Sequence, residues 1–226
     1  MRIQKISVLI EILYFLNIAL YLFDSIYHKI NIDDYLSLLR IPFLLVLYLL
    51  TSKKKNIIYI LSLLMYQFSA ILFTQNYTQS FQYATMFSLI FKISLTYVLI
   101  DLLNKNYRKA VGFTLIPIFV LYLYVISFIL EDLSQYYFIY WIVNFLITAL
   151  IGSIGVISFV HEFSRKNVWL LFGTMLFVIQ IVLFSLNKYY FKNDYVYEYN
   201  VLFYAFAHFA IYRFIILQEK SETEIA

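Results

Sequence analysis

The sequence predicts an all-α fold, a polytopic transmembrane helical bundle of eight spans with both termini cytoplasmic. Three observations predict it. Hydrophobic residues make up 63% of the 226 positions, against roughly 45–50% apolar in a soluble domain. Only 4 Gly and 2 Pro interrupt the chain, so most of it must be long regular segments. The apolar runs do not alternate with the period of two that barrel strands show, which leaves helices as the way to satisfy the backbone in lipid.

A span needs about 20 apolar residues, because about 30 Å of hydrocarbon is crossed at about 1.5 Å per residue. The first, 6–23, lacks a small-residue cleavage site and reads as a retained span rather than a signal peptide. The second, 36–50, is the shortest. The third and fourth, 57–74 and 81–101, lie between the polar joints TSKKKN, TQNYTQS and NKNYRK. The fifth is 110–130; the sixth, 137–160, contains GSIG at 152–155, which reads as small-residue helix packing. The seventh and eighth are 167–187 and 199–217, followed by the tail 218–226, QEKSETEIA, expected to be mobile and solvated. The joints are short, so neighbouring spans should be antiparallel. One integral membrane domain, 1–226, is expected, with no soluble module.

Lys and Arg in short loops set the orientation. With the N-terminus inside, twelve fall on the cytoplasmic side: Arg2, Lys5, Lys53, Lys54, Lys55, Lys105, Arg108, Lys109, Arg165, Lys166, Arg213 and Lys220. Four fall outside: Lys29, Arg40, Lys188 and Lys192. Dropping the second span would move Lys53–Lys55 outside and spoil this bias, so the charge pattern supports eight spans. The outer joints are acidic, with Asp24, Asp33, Asp34, Glu131, Asp132, Asp194 and Glu198. The net charge of +4 follows from this asymmetry and is no nucleic-acid signature. Abundant Ile, Lys, Asn, Tyr and Phe point to an AT-rich, bacterial genome, and so to the cytoplasmic (inner) membrane.

The chain has no Cys, which excludes disulfides, thiolate nucleophiles and Cys-ligated metals. His28, His161 and His208 have no paired metal-ligand spacing, so no metal and no cofactor are expected. No nucleophile elbow, phosphate loop, zinc motif or dinucleotide fingerprint is present. Polar side chains at bilayer depth are therefore the candidates for function. Glu11 and Lys92 are the two charges well inside predicted spans; they read as part of a buried polar site or as an interhelical ion pair. Asn17, Gln67, Asn144, Gln180 and His208 are neutral candidates, each of which read alone is interhelical glue. Tyrosines at span ends (Tyr136, Tyr137, Tyr189, Tyr190, Tyr195, Tyr197 and Tyr199) read as an aromatic belt.

The C-terminal half resembles the YhhN family of eight-span membrane proteins, which includes lysoplasmalogenases. Gly173, Leu176, Phe177, Asn187 and Lys188 hold that family's spacing, and its Ser-Asp falls on Ile179-Gln180. Phe203-Tyr204-Ala205-Phe206-Ala207-His208 is similar to the family's last span, with His208 at a Gln position. Further upstream, Arg40-Ile41-Pro42-Phe43 resembles its Lys-Pro-Leu, and Ser62-Leu63-Leu64-Met65-Tyr66 its Ser-Leu-Leu-Gly-Asp, with Gln67 next. The resemblance spans about residues 8–217. It implies hydrolysis of the vinyl ether of a lysoplasmalogen to a fatty aldehyde and a glycerophospho-amine, with the two motif aspartates as the catalytic pair. A vinyl ether is cleaved by protonation at carbon, giving an oxocarbenium ion that water attacks. One carboxyl with a raised pKa would give the proton, and a second would activate the water.

This chain has Tyr66 or Gln67 at one of those positions and Gln180 at the other, and none of these is a carboxylic acid. The resemblance therefore implies a relative that is inactive or altered in the reaction and binds lipid, a lysophospholipid among the candidates. Arg40, Lys92, Asn187, Lys188, Tyr204 and His208 are its candidate substrate-binding residues. Two alternatives stay open. One is an active hydrolase of lysophospholipid or vinyl ether with Glu11 as a relocated acid; the other is a structural component of a membrane complex. Scarce Gly and Pro argue against a transporter with broken helices.

Overall fold

The computed structural model describes residues 2–27, 33–75, 77–130 and 135–225. Eight long helices appear where the apolar segments predict them: α1 Arg2–Tyr27, α2 Asp33–Thr51, α3 Ile57–Phe73, α4 Thr78–Leu102, α5 Arg108–Ile129, α6 Gln135–His161, α7 Arg165–Tyr189 and α8 Asp194–Ile225. No strand occurs among the described residues. Seven of the helices are long and apolar enough to cross a membrane, which marks an integral membrane protein. The short one is α3, with 17 residues, not α2, whose 19 residues include Asp33–Tyr35 ahead of the apolar run. His28, Lys29, Glu131 and Asp132 lie outside the described residues, and the side chains of Arg2, Asp33, Tyr136, Tyr137 and Asp194 are likewise not described.

The helices group into two compact units, residues 1–98 with 216–226, and residues 99–215. In the first, α1 packs along α2 through a buried stripe of Tyr14, Asn17, Ile18, Tyr21, Asp24 and Ser25. Its spacing of three and four residues keeps these side chains on one helix face. Pro42 sits inside α2 and has no N–H to give Leu38, one turn back. The Gln67 Nε2 on α3 donates to that Leu38 carbonyl at 3.1 Å. The next joint is closed by Ser69, whose hydroxyl donates to Ala84 O of α4 at 2.8 Å.

In the second unit, α5, α6 and α7 share a core of Tyr122, Ile126, Trp141, Phe145, Ala149 and Ile181. The Tyr122 hydroxyl donates to Val178 O at 3.1 Å, and Trp141 Nε1 donates to the Tyr189 hydroxyl at 3.3 Å. Without a hydrophobic drive between helices in lipid, such packing and hydrogen bonds hold a bundle together. GSIG does act in packing. A Cβ on Gly155 would collide with the Thr174 side chain of α7, and one on Gly152 would lie 2.6 Å from Val178 Cγ2. The turn between these helices is capped from both sides. Asn167 Nδ2 donates to Ser158 O and Glu162 O at 3.0 and 2.8 Å, while the Ser164 hydroxyl accepts from Asn167 N.

The tail departs from expectation. Residues 218–225 continue α8 as helix, and Glu219 is buried. The cause is local: its carboxylate accepts from the Ser52 hydroxyl at 2.8 Å and the Lys53 N–H at 3.0 Å, at the α2–α3 turn of the first unit.

Candidate functional site

Two groups of polar side chains sit at depth, one in each unit. In the first unit Arg40 is buried at the contact between α2 and α1. It is 6% exposed, with its guanidinium 4.4 Å from the centre of the Tyr21 ring. Such a cation–π contact holds a desolvated guanidinium by about 2 kcal/mol or more. Lys92 is buried in α4, 1% exposed. Glu11, by contrast, is half-buried on α1, in a shallow groove with Val8, Ile12, Phe15, Leu16 and Ala19. Tyr66 packs its ring on Phe91, and Gln67 serves the Pro42 gap. Neither position resembling a motif aspartate in this unit carries an acid.

In the second unit α7 and α8 run antiparallel in close contact. Trp169 meets Phe209 and Arg213, Phe177 meets Tyr204 and His208, and a Cβ on Gly173 would lie 3.1 Å from the Ala207 carbonyl. Glycine at 173 is what lets the two backbones approach. His208 is buried, edge-on to Phe177 at 5.3 Å and stacked with Tyr204 at 5.9 Å.

Gln180 is 1% exposed, and its Oε1 has no hydrogen-bond donor among the described residues. Asn200 on α8 is 3% exposed, and neither its Oδ1 nor its Nδ2 has a partner among them. Gln180 lies three residues past Phe177, and Asn200 four residues before Tyr204. In antiparallel helices both carboxamides therefore fall one turn beyond the Phe177–Tyr204 contact, at one level. Leaving such a group unsatisfied costs about 1–3 kcal/mol. The arrangement offers two carbonyl acceptors and an amide donor, with the Tyr204 phenol one turn further along α8 and the His208 imidazole about two turns along it. It can hold a hydroxyl, an ammonium or a water, but no carboxylic acid among these residues can protonate a vinyl ether.

The other predicted residues separate from this group. Asn187 closes the α7–α8 connection, its Oδ1 accepting from Asn193 N at 2.8 Å. Lys188 is exposed at the end of α7. Tyr190, Tyr195, Tyr197 and Tyr199 are exposed around the same connection, as an aromatic belt requires. Asn144 Nδ2 donates to the Tyr140 hydroxyl one turn away at 2.7 Å. The predicted eighth segment, 199–217, puts Asn200 at the very start of a span, next to the polar residues that precede it, where an amide draws no notice. With α8 starting at Asp194, Asn200 lies nearly two turns inside a helix. No family model, curated protein or solved structure matches the chain.

Proposed function

We propose that this chain is a YhhN-like membrane protein of eight spans with both ends cytoplasmic, seated in a bacterial inner membrane. It binds a membrane lipid and does not hydrolyse it. At about 26 Å, α3 is close to the thickness of a bilayer core, and only with α3 as a span do Lys53–Lys55 join the cytoplasmic majority. The observation that carries the binding role is the pair of buried carboxamides, Gln180 and Asn200, with three polar atoms lacking partners among the described residues. A lysophospholipid suits them, since its glycerol hydroxyl both donates and accepts. The same observation argues against hydrolysis, because a carboxamide has no proton to give near neutral pH.

The test has two readouts with opposite signs. Asn200→Leu is expected to raise the stability of the lipid-stripped protein by about 1 kcal/mol, by removing unsatisfied groups, and to lower retention of lysophospholipid in native mass spectrometry. Interhelical glue would instead be destabilised by the same change. Fatty aldehyde release from a lysoplasmalogen, run beside an active relative, is expected to stay at background. Turnover lost in Glu11→Gln would replace this reading with the relocated-acid one. That reading is favoured by the position of Glu11 in a groove open at the protein surface, where a lipid chain can reach it.

A further inference from the structure

The α2–α3 turn is built to an unusual degree around one carboxylate. Glu219 takes the Ser52 hydroxyl on one oxygen and the Lys53 N–H on the other. The same Ser52 oxygen accepts from Lys55 N at 2.9 Å, and Asn56 N donates to the Tyr48 hydroxyl at 2.8 Å. Lys55 has a φ of 45°, the left-handed region, which a non-glycine residue holds only when its surroundings enforce it. The result is a fixed turn presenting three consecutive exposed lysines, Lys53, Lys54 and Lys55. Glu222, one turn along α8, forms an ion pair with Lys54 and is itself held by Gln218. Its carboxylate hydrogen-bonds and attracts the Lys54 ammonium, which raises the Lys54 pKa above the ordinary lysine value.

We propose that the Ser52–Asn56 turn is a docking loop for the headgroups of anionic lipids, pre-formed by Glu219 and partly masked by Glu222. The turn joins two apolar helices, so its lysines are held where those helices leave the apolar layer, at headgroup level. The N-terminus of α3 is already capped by Asn56, whose side chain accepts from Ile58 N and Tyr59 N. The anion must therefore be read by the lysines and not by the helix end. A lysine near an anionic leaflet contributes about 1 kcal/mol, or about fivefold in retention. Glu222 competes with lipid for Lys54 alone. Glu219 acts differently: it spends its charge on the backbone and Ser52, and so fixes the direction in which all three lysines point.

The two carboxylates give the proposal a test by sign. The full chain is reconstituted in nanodiscs of phosphatidylcholine with phosphatidylglycerol, and the phosphatidylglycerol retained is counted by native mass spectrometry. The triple change Lys53→Gln, Lys54→Gln, Lys55→Gln is expected to lower retention by about fivefold per lysine. Glu222→Gln should raise retention, by freeing Lys54. Glu219→Gln should lower it, although it removes a negative charge. Ser52→Ala leaves every charge in place, loses two of the bonds that shape the turn, and should act in the same direction as Glu219→Gln. A loop that attracts lipid by charge alone would retain more phosphatidylglycerol in Glu219→Gln and be unmoved by Ser52→Ala. Either result, or a triple variant that retains as much as the parent, overturns the proposal. Unchanged helical circular dichroism separates a misdirected loop from an unfolded protein.

Discussion

Gly155→Ala is expected to destabilise the second unit by about 1–3 kcal/mol and Gly155→Leu by more, while the same Gly→Ala change at Gly112 leaves the protein as stable or slightly more so. The two glycines differ only in what a new side chain meets. At Gly112 nothing lies within 4 Å of the added Cβ. The helix there gains from a residue with less backbone freedom to lose, by about 0.5–1 kcal/mol. At Gly155 the added Cβ runs into the Thr174 hydroxyl and lies 3.0 Å from Thr174 Cβ. Threonine is branched at that carbon and cannot swing clear, so α6 and α7 must separate. Separation would disturb the packing around Trp141, Phe145 and Ile181. Both tryptophans, Trp141 and Trp169, lie in this unit. Their fluorescence during thermal unfolding in detergent therefore reports on it directly. Thr174→Ala should rescue part of the loss in Gly155→Ala, since it removes the hydroxyl and a methyl but leaves Cβ. Equal melting of Gly155→Ala and the parent would mean that the helices do not cross at this point.

Much of the fold is legible because its determinants are local. A run of some twenty apolar residues between polar joints declares a helix whatever it packs against, and each predicted segment lies inside or within a residue of an observed helix. The errors occur where polar residues extend a helix beyond its apolar run. Asp33–Tyr35 lengthen α2, and residues 218–225 lengthen α8, because the second extension gains a partner at Ser52 and Lys53. That pairing joins positions more than 160 apart in the sequence, and no periodicity announces it. The candidate site was half legible. Gln180 stands out as an amide in a long apolar stretch. Asn200 does not, because the polar residues before it disguise the start of α8. Glu11 and Lys92 attract attention as charges at depth, yet sequence alone cannot show that one lines an open groove on α1 and the other is buried in α4.

Gln67→Leu is expected to cost about 2–3 kcal/mol in the parent protein and far less in a Pro42→Ala background. The argument begins with proline. With no N–H at position 42, the carbonyl of Leu38 loses its helical partner, and in lipid no water replaces it. Gln67 Nε2 supplies the missing donor from the neighbouring helix. Leucine at 67 has the bulk but no donor, so the carbonyl is left unsatisfied. Pro42→Ala restores the N–H within α2, after which the Gln67 bond is redundant. The four corners of the cycle are measured by helical circular dichroism during thermal unfolding, since neither tryptophan reports on this unit. Equal costs of Gln67→Leu with and without Pro42 would show that the glutamine does not serve the proline gap. The coupled outcome has a consequence for function. Of the two positions that resemble motif aspartates, the one at Tyr66–Gln67 would then be committed to holding α2 and α3 together, which leaves Gln180 with Asn200 as the polar pair available to a ligand.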